Sequence, residues 1–135
     1  MSIVVGYLPT PAGRAALRAG LEEAVVRSAK LVIVQAPAPK QRFGRSHEPE
    51  VAVASEEDER LLAGSEVEHE LVSVHPDSDP ADAILDACRR VAAQLLVIGT
   101  RKRTPVGKLI MAPTTQRILL EATCPVLCVK AEYGQ

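Results

Sequence analysis

Unbroken runs of aliphatic residues recur along the chain, with longer mixed stretches between them. The runs are Ile3-Val4-Val5, Leu31-Val32-Ile33-Val34, Leu95-Leu96-Val97-Ile98 and Val126-Leu127-Cys128-Val129. Short runs rich in β-branched residues suit strands covered on both faces, as in a parallel sheet. A further segment, Val67 to Val74, alternates instead. Val67, His69, Leu71 and Ser73 fall on one side, and Glu68, Glu70, Val72 and Val74 on the other. Alternation predicts a more exposed strand, nearer a sheet edge.

Helical patterns separate the runs. Thr10-Pro11 is a cap residue followed by proline at the first helical position. Beyond it, Leu17, Leu21 and Val25, with Ala16, Gly20 and Ala24, form one face. Asp79-Pro80 repeats the start signal, and Ile84, Cys88 and Val91 follow at helical spacing. A last helix is predicted from Pro113 to Ala122, with Ile118 and Leu119 inward. Pro49 to Ala63 reads as a weaker, acidic helix, with the carboxylates of Glu56 to Glu59 on a solvated face. Pro37 to Pro49 is rich in proline and basic residues and reads as a loop.

This alternation implies right-handed crossovers. The expected fold is α/β, a single domain over residues 1–135. Its core is a doubly wound, mostly parallel five-stranded sheet, Rossmann-like, with helices on both faces and strand order 3-2-1-4-5. Ligands in such sheets bind beyond the carboxyl ends of the strands, where the winding reverses. Here that point lies between the first and fourth strands, so the segments after Gly6 and Ile98 matter most.

Composition narrows the function classes. The 135 residues are 47% hydrophobic and 24% charged, an ordinary globular mix. One Phe, two Tyr and no Trp leave the core to Val, Leu, Ile and Ala, and argue against a base-stacking reader of nucleic acid. A net charge of −1 gives no general pull toward nucleic acid or anionic membrane. No apolar run approaches the roughly 20 residues of a membrane span. The start reads directly as a strand, without the features of a signal peptide. Three cysteines, Cys88, Cys124 and Cys128, without paired spacing make neither a disulfide framework nor a zinc site. They read as reduced packing residues and point to the cytoplasm. His47, His69 and His75 stand in no recognisable triad. No catalytic residue and no metal ligand is expected.

The segment after the fourth strand carries the chemistry. From Gly99 to Leu120 there is no acidic residue, and there are five basic ones: Arg101, Lys102, Arg103, Lys108 and Arg117. A basic, hydroxyl-bearing loop ending at a helix N-terminus suits an anion, because free N–H groups, helix dipole and side-chain charge act together. A solvated basic loop held apart from the acidic helix is the plainer alternative.

The stretch Val97-Ile98-Gly99-Thr100-Arg101 through Cys124-Pro125-Val126-Leu127 resembles the universal stress protein family. That family carries G-x2-G-x9-G-(S/T) after a strand, then a helix, then a strand beginning C-P-V. Gly99 matches the first glycine, and Leu109-Ile110-Met111 the apolar triplet before the last. Gln116-Arg117-Ile118-Leu119 matches the family's helix, and Cys124-Pro125-Val126-Leu127 the start of its last strand. The resemblance extends over essentially the whole chain. It implies an ATP site, with magnesium, and a homodimer formed through the last strand, Pro125 to Lys130. The candidate contacts are Gly99, Thr100, Arg101, Lys102, Arg103, Ala112, Thr114 and Thr115 on the phosphate side. Tyr7, Leu8 and Ala36 stand on the base side.

Several positions depart from the family pattern. Its second glycine falls on Lys102, its third on Ala112, and the following hydroxyl on Pro113, which has no N–H. The Asp that usually follows the first strand is Leu8, which accepts no hydrogen bond. Tyr7 either lines a base pocket or packs. The expectation is a non-enzymatic, dimeric stress-response module whose degenerate ATP site takes only an anion such as phosphate or sulfate. The alternative is an ATP- or AMP-binding sensor, or slow ATPase, using a shifted version of the site.

Overall fold

A computed structural model describes residues 1–7, 10–35, 56–101 and 112–131. Five strands, β1 (Ser2–Tyr7), β2 (Lys30–Gln35), β3 (His69–Ser73), β4 (Leu95–Arg101) and β5 (Val126–Ala131), alternate with four helices. The helices are α1 (Pro11–Arg27), α2 (Glu56–Gly64), α3 (Pro80–Arg90) and α4 (Pro113–Glu121). All strand pairs are parallel, in the order β3-β2-β1-β4-β5. The doubly wound α/β sheet expected from the aliphatic runs is the fold observed. The alternating segment forms the edge strand β3, shorter than its Val67–Val74 pattern.

Strand side chains alternate between two apolar layers. Ile3, Val5, Leu31, Ile33, Leu95 and Val97 pack with Leu17 and Leu21 of α1 and Leu62 of α2. Val4, Val32, Val34, Leu96 and Ile98 pack on the other face with Ile84 and Cys88 of α3 and Ile118 of α4. Burying each such aliphatic side chain contributes about 1.5–3 kcal/mol.

The predicted caps are built. Thr10 Oγ1 accepts the Gly13 N–H at 3.2 Å, and Asp79 Oδ1 accepts that of Ala81 at 2.9 Å. Helix α3 closes at Ala92, with φ of 49°, where the Ala93 N–H donates back to the Cys88 carbonyl.

Two expected inward residues face out. Val25 is 65% exposed. Each i to i+4 step overshoots a full turn by about 40°, so over two steps the stripe drifts and Ala24 takes the inward place. Leu119 is also exposed, because Ile118 is the buried residue of α4 and the next residue projects about 100° away from it.

Candidate functional site

Strand β1 pairs with β2 over its whole length, from Ser2 opposite Lys30 to Tyr7 opposite Gln35. With β4 it pairs only from Ile3 opposite Leu95 to Val5 opposite Val97. Gly6 and Tyr7 therefore part from Ile98 and Gly99, and the sheet splits at its carboxyl end. The floor of the split is filled: a Cβ added at Gly6 would lie 3.0 Å from Ile84 Cδ1 and 3.4 Å from Ile98 Cγ2.

Gly99 forms one wall. A Cβ there would overlap the Ala12 carbonyl oxygen in the first turn of α1. The glycine thus lets α1 lie directly against β4. Thr100 follows, nearly buried at 7% exposure. Further along the chain is the N-terminus of α4. Its N-cap Ala112 makes no side-chain cap bond, and Pro113 has no N–H. Thr114 and Thr115, both half-buried, stand in the first turn, whose N–H groups have no partner within the helix. An anion placed there meets those donors and the positive end of the helix dipole.

Of the two roles open to Tyr7, the packing one is seen. The ring is 1% exposed in the α1 layer, and its hydroxyl donates to Asp58 Oδ2 at 2.7 Å. Asp58 corrects the solvated-face expectation for Glu56 to Glu59, since it is 1% exposed. Arg14 Nε lies 3.9 Å from the same carboxylate oxygen. The signal was present in the spacing: Asp58 precedes buried Leu62 by four residues and shares its inward face.

Arg117 leaves the group of anion-site candidates. Its guanidinium donates to Glu121 Oε2 at 2.8 Å, to Asp79 Oδ2 at 2.8 Å and to Asp82. Hydrogen bonds to Glu121 and Asp82 hold its pKa above the ordinary range. It joins α4 to the start of α3 rather than facing a ligand.

Leu8, Ala36, Lys102, Arg103 and the Pro37–Pro49 segment with His47 lie outside the described residues, as does the side chain of Arg101. His69 and His75 are exposed. Among the described residues, no group of His, Cys, Asp and Glu is placed to hold a metal ion. No described helix is long and apolar enough to cross a membrane.

The sequence profile of the universal stress protein family matches residues 1–130. The chain belongs to the universal stress protein family. A universal stress protein of Mycolicibacterium smegmatis is 42% identical over 135 residues, covering 95% of this chain and 96% of its own. A universal stress protein structure from Archaeoglobus fulgidus superposes with a TM-score of 0.75 at 30% identity, covering 96% of this chain and 98% of its own. Another universal stress protein, solved in complex with cAMP, gives a TM-score of 0.67 at 27% identity over 96% of each chain. In this universal stress protein Gly99 and Thr100 lie at the carboxyl end of β4, beside the split from β1, and Thr114 and Thr115 lie in the first turn of α4. Tyr7 is turned away from them, into the core.

Proposed function

We propose that this universal stress protein is a non-enzymatic, homodimeric stress-response module of the cytoplasm. In this reading its switch-point site holds an anionic group rather than ATP in the family manner. The observation that carries the reading is the N-terminus of α4, whose N-cap Ala112 makes no side-chain cap bond, with Thr114 and Thr115 in its first turn. Two further features support it. Tyr7 is committed to Asp58, and Arg117 to three carboxylates, so neither is free to hold a base or a triphosphate. The free thiols of Cys88, Cys124 and Cys128 suit a reducing compartment.

Calorimetric titration distinguishes the possibilities. Phosphate or sulfate should bind, and ATP with magnesium should bind weakly or not at all. Micromolar affinity for ATP would overturn the reading. The cAMP complex of the 27% identical relative favours a second reading, a mononucleotide sensor. Lys102 would then supply charge where the family has glycine. On that reading AMP or cAMP binds and Lys102→Glu abolishes the binding; unchanged affinity in the variant rejects it.

A further inference from the structure

Strand β3 is the outermost strand on its side of the sheet. It runs beside β2 without a break in register, from Leu31 opposite His69 to Gln35 opposite Ser73. At the two ends of that ladder the Leu31 N–H donates to the Glu68 carbonyl at 2.9 Å, and the Val74 N–H to the Gln35 carbonyl at 3.0 Å. Alternate residues of a strand turn their backbone groups to the same side, so Glu68, Glu70, Val72 and Val74 direct theirs to β2. His69, Leu71 and Ser73 turn their N–H and C=O groups outward. All three residues are exposed, Leu71 by 50%.

The chain along this edge carries one sign of charge. Glu66, Glu68 and Glu70 are exposed, and exposed Asp77 and Asp79 follow. Between Arg60 and Arg89 there is no lysine or arginine. The Lys30 amine of β2 lies 3.9 Å from Glu70, in an exposed pair of the kind that contributes little and exchanges readily. By register, Glu70 shares the face of Val32, and Leu71 that of Ile33. The edge therefore offers carboxylates on one face, an aliphatic side chain on the other, and open backbone groups between them. Repulsion of a second copy accounts for the glutamates. It does not account for a half-exposed leucine at the centre of a regular strand that no proline or bulge interrupts.

We propose that the β3 edge is a docking site for an extended, basic segment of another protein, which adds to the sheet as a further strand. The outward N–H and C=O groups of His69, Leu71 and Ser73 supply the ladder, as in other complexes formed by strand addition. Side chains of the added strand alternate between the two faces, as those of β3 do. Lysine or arginine at every second position meets Glu68 and Glu70, and an aliphatic residue between them covers Leu71. The same carboxylates that reject another β3 edge thus select for a partner of opposite charge. This surface lies at the opposite edge of the sheet from β5 and is independent of the anion site.

The probe is a blocked peptide of alternating lysine and valine, long enough to span β3, titrated into the full chain at low salt. Amide hydrogen exchange is then followed by NMR. At a peptide concentration about ten times its Kd, the His69, Leu71 and Ser73 amides should exchange about tenfold more slowly. Those of Glu70 and Val72, already bonded to β2, should not change. Two further peptides carry N-methyl groups on every lysine or on every valine. One of the two should lose binding, because its donors toward β3 are gone while its charge remains. Glu68→Gln combined with Glu70→Gln should weaken the parent peptide about fivefold. Absence of binding, equal binding by both methylated peptides, protection on β5 instead of β3, or an unchanged affinity in the double variant would each overturn the proposal. The exchange map of the wild type decides without any variant having to fold.

Discussion

A buried carboxylate must be matched by donors or charge, and Asp58 is matched by the Tyr7 hydroxyl and by Arg14. Tyr7→Phe keeps the ring and removes the donor, leaving the carboxylate short of a partner. It should cost about 1–3 kcal/mol, read as a lowered urea midpoint. An unchanged midpoint would show that the hydroxyl is dispensable. The pairing was hard to see in the sequence because its partners are 51 residues apart and Asp58 sits in a run of four acids. Gly99 shows the opposite difficulty. It was legible as a glycine that something must approach, but the sequence pointed to phosphate, whereas the structure shows the backbone of α1 there as well. Gly99→Ala should therefore destabilise the ligand-free protein by about 1–3 kcal/mol, since the obstacle is backbone rather than a pliable side chain. A purely ligand-contacting glycine would leave the apo stability unchanged.

At the scale of elements, four strands followed from aliphatic runs whose β-branched content suits two-sided burial and one from an alternating segment, their order followed from the doubly wound plan, and the Thr10-Pro11 and Asp79-Pro80 signals located two helix starts. What the pattern could not supply was the contact between elements. Arg117 read as part of a basic loop because its acidic neighbours Asp79 and Asp82 lie more than thirty residues away, at the start of α3. Folding places α4 against α3, and the guanidinium becomes the joint. Arg117→Gln should lower the unfolding midpoint at low salt, and the gap from wild type should narrow as salt screens the exposed charges. A gap independent of salt would assign the loss to packing instead. Helix α3 docks through Cys88, whose folded pKa is raised from 9.0 to about 12. Between those values the folded state holds a proton that the unfolded chain has released, so stability falls as pH rises from about 9 toward 12. Cys88→Ala should flatten that decline in alkaline unfolding titrations. A decline of equal slope in the variant would place its origin elsewhere.

For the whole molecule, the sheet leaves two edges, and they differ in chemistry. Strand β3 carries the exposed Glu70, with exposed Glu68 just before it, and Lys30 reaches Glu70 at 3.9 Å from within the same chain. Pairing two copies through that edge would bring like charges together across the new ladder. Strand β5 offers Val126-Leu127-Cys128-Val129 with the single charge of Lys130, and Leu127 is 38% exposed. Its ladder to β4 leaves alternate N–H and C=O groups pointing outward, free to pair with a second copy about a two-fold axis. The exposed Leu119 and Leu120 of the preceding helix add apolar surface nearby. The proposed homodimer therefore belongs at β5. Sedimentation equilibrium should give a dimer for the wild type and for Leu71→Lys on β3, while Leu127→Lys should shift the mass toward the monomer. A monomeric wild type would remove the dimer from the proposed function. Dissociation by Leu71→Lys, with Leu127→Lys silent, would move the interface to the opposite edge, where the glutamates would then need a compensating charge from the partner.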